Sequence, residues 1–370
     1  MTSFLFLVAL TFLISFACNG AIAAISRRTS FGLDQELGVQ KFHTAPTSRL
    51  GGVGIFLGLM LGLVLLFKDD APLVHTLLLI FLSSIPIFLG GLIEDLTHHV
   101  PAIVRLLLAF FSASCFWFLM GFGVERTEVI PVDWLLQWPV MAYLITLLVI
   151  AGFTHSVNII DGFNGLASSQ VLLMLASMAF ISHQFDQRDL FIYSILLFSV
   201  TLGFFCWNWP FGRIFLGDGG SYFLGFNVVV IGLTLLSRVP KLSPFAPIMI
   251  GIYPLVEALF SIYRRVVLKG VSMNRPDALH LHSLIYQRVV KKNNIETLTN
   301  SLKNNSKVAV YFFVNTLAFD LTSLLFMTNS HLLFILFFIF ICVYIYLVSR
   351  LVLFRTPQFF WYTRQRKRLQ

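Results

Sequence analysis

Three stretches of this chain place acids and amides where the surrounding sequence is apolar. In FLGDGGS, Phe215 to Ser221, Asp218 stands between glycines just ahead of the hydrophobic run FNVVVIGLTLL. A carboxylate beside hydrocarbon is costly and is a functional candidate by default; the plain alternative is a helix cap at a membrane border. The glycines and Ser221 leave backbone donors open to an anion. The carboxylate offers a hard oxygen to a cation such as Mg2+, which prefers a few protein oxygens plus substrate phosphates to a complete protein cage. In HSVNIIDGFNGLA, His155 to Ala167, Asn158 and Asp161 have the spacing of one helical face or one turn, and Asn164 follows at the same interval. In GLIEDLTHH, Gly91 to His99, Glu94 and Asp95 close an apolar helix at the end where its dipole disfavours negative charge. A capping explanation is weak there, and the pair could accept a proton or face a metal-bound substrate.

Two further stretches supply cations and histidines. KFHTAPTSRLGG offers Lys41, His43 and Arg49 ahead of paired glycines, a composition suited to phosphate oxygens, although a basic juxtamembrane loop is the simpler reading of that stretch alone. RPDALHLHSLIYQR brings Arg275, His280 and His282 together. Histidines at i, i+2 suit a helix-borne zinc site poorly and look more like diphosphate contacts. Asn208 opens NWPFGRIFLGDGGS, the lead-in to Asp218, and joins the substrate-binding candidates. Carboxylates, cations and histidines without cysteine ligands favour Mg2+-assisted phosphoryl chemistry over zinc hydrolysis, with Mn2+ as the alternative ion. In such chemistry the protein mainly positions groups and neutralises charge.

The elements that must position these residues are membrane spans. The chain is 57% hydrophobic and only 12% charged, with 40 Phe and a mean hydropathy of +0.84, whereas a soluble protein keeps about a quarter of its residues charged. The four cysteines lie in or beside apolar runs and read as small core residues. The N-terminal apolar segment lacks a basic lead and reads as a retained span. Apolar runs near 2–25, 51–67, 72–93, 101–121, 138–155, 165–182, 190–206, 221–237, 245–263, 308–328 and 332–353 predict an all-α polytopic bundle of about 11 spans. The chain reads as one integral membrane domain, 1–370, with a polar loop at 264–307 and a basic tail at 354–370. Alternate connections hold 21 of the 26 Lys and Arg, which places the N-terminus outside, the C-terminus in the cytoplasm and all five stretches on the cytoplasmic face. The tail RQRKRLQ, beside a last span, fits anionic lipid rather than nucleic acid.

The motifs resemble the polyprenyl-phosphate N-acetylhexosamine-1-phosphate transferases, relatives of phospho-MurNAc-pentapeptide translocase, from about Lys41 to Arg288 and in the family's order. NIIDGFNGLA and FLGDGGSYFLG are highly specific, HLHSLI and APTSRLGG less so, and Glu257 in PLVEALFSIYRR fits an acid of the family. The resemblance implies a reaction in the bacterial inner membrane, with the active site on the cytoplasmic face. A UDP-sugar gives its sugar-1-phosphate to a polyprenyl phosphate such as undecaprenyl phosphate, releasing UMP. It implies Asp218 as main Mg2+ ligand with Asn158 beside it, Glu94 and Asp95 as the pair handling the lipid phosphate, Asp161 facing nucleotide and metal, and His280 and His282 near the diphosphate. A homodimer is compatible with it. Glu94 and Asn164 stand where relatives often carry aspartate, and the histidine cluster ends in Ser283, which favours the O-antigen initiating branch over peptidoglycan synthesis. A transporter is the rival from another class, but transporters place ionisable groups near the bilayer midplane, and here only Asp320 lies deep in a span.

Overall fold

A computed structural model describes residues 2–29, 33–34, 47–69, 71–268, 279–290 and 298–353. Lys41, His43, Arg275 and the tail 354–370 lie outside the described residues, as does most of the APTSRLGG lead-in. The helices are α1 (Thr2–Thr29), α2 (Gly51–Asp69), α3 (Ala71–Thr97), α4 (Ala102–Met120), α5 (Ile130–Leu136), α6 (Pro139–Ile159), α7 (Leu166–Gln184), α8 (Arg188–Asn208), α9 (Gly217–Arg238), α10 (Phe245–Ile250), α11 (Ile252–Tyr263), α12 (Leu281–Ile285), α13 (Leu298–Leu325) and α14 (Ser330–Val352). A two-residue antiparallel ribbon, Leu33–Asp34 against Thr47–Ser48, is the one departure from an all-α chain among the described residues.

Ten of these helices are long and apolar enough to cross a membrane. The predicted ninth span, 245–263, is instead broken into α10 and α11 at Gly251. Pro254 causes the break, because it cannot donate to the carbonyl of Ile250 and its ring clashes with that turn. The broken pair still traverses the bundle. At one end the Ser243 N–H donates to Met327 O (2.8 Å), just past α13, while at the other Glu257 meets His280 beside the polar site. Among the described residues the bundle thus combines ten continuous apolar helices with this kinked pair.

Packing follows small residues and buried polar stripes, as expected where lipid removes most of the hydrophobic drive between helices. Thr11 and Ser15 on α1 bond to Ser199 Oγ (2.7 Å) and Val200 O (2.6 Å) on α8. The outer faces carry the bulky apolar side chains: Phe118 is 75% exposed, and Trp134 and Trp138 crowd the short α5 region like an interfacial belt. At the centre runs α9, buried over almost its whole length. Phe223 anchors it, lying 5.4–6.1 Å from the rings of Phe56, Phe81 and Phe88 on α2 and α3.

Candidate active site

The polar residues converge on the first turn of α9. The sequence can start a helix at Gly217 only because that residue sits at φ +75° against the Arg49 carbonyl and the Asp95 carboxylate, where a Cβ would collide with both. The exposed N–H groups of the new helix need acceptors. Asp95, on the last turns of α3, provides them: Oδ1 accepts from Asp218 N and Oδ2 from Gly219 N, both at 2.8 Å. Asp95 is 1% exposed. Its neighbour Glu94 turns away, and its Oε2 accepts from the Val100 N–H at 2.7 Å, closing the α3–α4 turn. His98 and His99 are solvent-exposed.

Asp218 itself is the hub. Its Oδ1 accepts from Asn158 Nδ2 at 3.0 Å and faces Arg49 at 3.3 Å, while Oδ2 is paired with Arg105. Asn158 also donates Nδ2 to Ser221 Oγ at 2.8 Å, so its carboxamide oxygen is the atom left to face a cation. Arg49 reaches Asp95 as well, with Nε 3.5 Å from Oδ1. The strand residue Ser48 holds this arginine's backbone in place by accepting from the Phe215 N–H at 2.8 Å. Arg105, on the first turn of α4, is missing from the sequence-derived site. Its warning sign was a lone charge within the apolar run AIVRLLLAF.

Asp161 follows the end of α6 in a turn whose N–H donates to Asn158 O (3.1 Å). Burial pushes its carboxyl up to about 7, with the Arg49 guanidinium pulling in the opposite direction. Beside it, His282 Nε2 lies 3.7 Å from where a Cβ on Gly162 would stand, and the His282 ring meets Phe163 edge-on at 5.6 Å. The histidine segment is thus folded against the Asp161 loop. His280 and His282 are both buried; His280 Nδ1 lies 2.9 Å from Glu257 Oε1 and His282 Nδ1 lies 3.1 Å from the Tyr253 hydroxyl. Burial lowers His282 to about 3, opposed by Glu257, so this imidazole is neutral at physiological pH.

Asn164 and Asn208, expected at the substrate, use their side chains or backbone to clasp the chain. Asn208 accepts from Gly165 N (2.6 Å) and donates to Ile214 O (2.8 Å). Asn164 donates its N–H to Asn305 Oδ1 (2.7 Å) and its Nδ2 to Pro210 O (3.4 Å). Both lie in the loops beside the site, and these partners belong to the chain itself. Their role is to hold the α6–α7 and α8–α9 loops together over the polar start of α13.

A match to the family model described as glycosyl transferase family 4 spans residues 77–236, which includes Asp95, Arg105, Asn158, Asp161 and Asp218. Over that segment the chain is similar to glycosyl transferase family 4. It is also similar to a probable undecaprenyl-phosphate N-acetylglucosaminyl 1-phosphate transferase of Bacillus subtilis, 28% identical over 74% of this chain and 76% of the relative. An undecaprenyl-phosphate alpha-N-acetylglucosaminyl 1-phosphate transferase of Thermotoga maritima is 29% identical over 75% and 81%. A phospho-N-acetylmuramoyl-pentapeptide-transferase of Carboxydothermus hydrogenoformans is 26% identical over 64% and 75%. The histidine segment lies beyond the end of the family match, so its place in the site rests on the packing against Gly162 and Phe163.

Proposed function

We propose that the protein transfers an N-acetylhexosamine-1-phosphate from a UDP-sugar to undecaprenyl phosphate, releasing UMP and leaving a diphosphate-linked lipid. The observation that carries this reading is the convergence of Asp95, Asn158, Arg49 and Arg105 on Asp218 at one end of a membrane bundle. An oxygen of the lipid phosphate attacks the phosphorus bearing the sugar. The new P–O bond forms as the bond to the bridging oxygen breaks, and the electron pair leaves with UMP. Any proton on the attacking phosphate passes to a base, and Asp161, with a carboxyl that titrates near neutrality, suits that task.

The side chains fit Mg2+. The donors are hard oxygens, and among the described residues no three His, Cys, Asp or Glu side chains are grouped to cage a metal alone, as befits an ion that completes its shell with phosphate oxygens. Asp218 and Asn158 would hold it, and when bound it supplies charge neutralisation for the diphosphate. Arg49 and Arg105 orient the phosphates, since guanidinium groups pair with phosphate in a fixed geometry. The names of the relatives support N-acetylglucosamine as the first sugar to test. The motifs and the lysine and arginine asymmetry are the support for initiation of an O-antigen or related envelope polysaccharide at the cytoplasmic face of the inner membrane. The test is UMP release from purified protein given undecaprenyl phosphate, Mg2+ and a panel of UDP-N-acetylhexosamines. No release with any of them defeats the reading.

A further inference from the structure

We infer that Glu257 is a positioning residue that turns the Nε2 edges of His280 and His282 together toward the Asp161 loop, where they meet the diphosphate of the sugar donor. The inference rests on the transferase reading for its ligand, but its geometry stands on Glu257 itself. Glu257 is 0% exposed, and a carboxylate so buried must be paired and hydrogen-bonded to persist as a charge. Its Oε1 accepts from His280 Nδ1 at 2.9 Å, and both oxygens share the Leu281 N–H at 3.3 and 3.2 Å. His282 Nδ1 stands 4.0 Å from Oε2 and is held by the Tyr253 hydroxyl. The two imidazoles lie parallel, 5.2 Å apart with 2° between their planes.

Parallel rings with both Nδ1 atoms turned to the α11 side must present both Nε2 atoms to the other side. For His282 that side is Gly162, next to Asp161. A carboxylate on Nδ1 fixes the tautomer and stabilises the ring when Nε2 takes a proton to donate to an anion. A mere loop clip would need only the Leu281 N–H. The groups facing the pair are Tyr253 on α11, Arg264 just beyond it, His282 on α12, and Tyr344 on α14. Among the described residues facing the pair none supplies a second carboxylate, and Glu257 is the acid that holds His280 through Nδ1.

The experiment compares wild type, Glu257→Gln, Glu257→Asp and His280→Gln, each checked by thermal melting, with KM and kcat for UDP-N-acetylglucosamine measured from pH 6 to 9. Glu257→Gln keeps the volume and removes the charge. Its KM should rise about tenfold at pH 8 and less at pH 6, with kcat within about threefold of wild type and the alkaline limb of kcat/KM moved to lower pH. Glu257→Asp should recover part of the loss, and adding His280→Gln to Glu257→Gln should cost little more. An unchanged KM and pH profile in Glu257→Gln overturns the inference, as does a loss that is uniform across pH and tracks a lowered melting point. A second readout is independent of turnover: the pH dependence of diethyl pyrocarbonate modification at His280, followed by mass spectrometry. It should shift in Glu257→Gln, and no shift overturns the dyad. A wild type that releases no UMP sinks the transferase reading instead, and the modification experiment then still decides whether Glu257 governs His280.

Discussion

Asp95 holds Asp218 through the backbone: its two carboxylate oxygens take the N–H groups of Asp218 and Gly219, each at 2.8 Å. The acid that closes α3 therefore caps the helix that carries the central acid of the site. Leaving such buried donors unsatisfied costs about 1–3 kcal/mol each. Asp95→Ala is expected to lower the melting temperature measurably and to remove most activity. Asp95→Asn, which can accept with only one oxygen, should fall between. If Asp95→Asn loses its activity with an unchanged melting point, its role is proton chemistry rather than positioning.

Glu94 answers differently. Among the described residues its side chain bonds to the Val100 N–H, which a carboxamide can also satisfy. Glu94→Gln should keep kcat/KM within about threefold of wild type. A dead Glu94→Gln with Asp95→Asn still active would reverse the roles of the pair.

Asp218→Asn should insert and fold yet lose turnover by far more than the tenfold that corresponds to about 1.4 kcal/mol of barrier. The charge that gathers Arg49 and Arg105 is then gone. Arg105→Gln should raise KM for at least one phosphate-bearing substrate and lower kcat. Arg105→Lys should restore only part, because an ammonium cannot offer a two-pronged contact. Steady-state UMP release at saturating Mg2+ reads both, and wild-type kinetics in Arg105→Gln would remove this arginine from the site.

Asp161 makes stability fall with pH. Its carboxyl titrates near 7 in the folded chain, above its ordinary value, so between about pH 4 and 7 the native state binds more protons than the unfolded one. Stability is then greatest below that window and declines as pH rises through 7. In metal-free detergent solution, Asp161→Asn should flatten this slope and raise the melting temperature at pH 8, while abolishing turnover. Identical slopes in the two proteins would contradict the burial argument.

The lysine and arginine asymmetry predicts that the site end of the bundle faces the cytoplasm. In a background lacking the native cysteines, His98→Cys should resist an impermeant thiol reagent in intact cells and Asp186→Cys, at the other end, should react. Equal labelling of both would defeat the orientation.

The sequence made the spans and the five polar stretches legible because each is a local contrast: charge against hydrocarbon, or proline and glycine against helix. Asp218, Asn158 and Asp161 could be found that way. Whether a polar group serves a ligand or the chain itself could not, since the partners of Asn164 and Asn208 are Asn305, Gly165, Pro210 and Ile214, fixed only when loops meet. Arg105 was hidden because one cation at the head of an apolar run looks the same whether it snorkels to the interface or turns inward. Glu257 stood out only by resemblance; its pairing with His280 joins α11 to a segment 23 residues further on and forms only when the two meet in the fold.

The start of α9 is also wedged between two other backbones. A Cβ on Gly91 would strike the Asp218–Gly219 peptide, and one on Gly52 would strike Gly220. Neither glycine carries any chemistry, yet each sets how far the acids stand from one another. In a saturation mutagenesis scored by growth, these two silent positions should therefore be as intolerant as Asp218, and alanine should fail there as thoroughly as tryptophan.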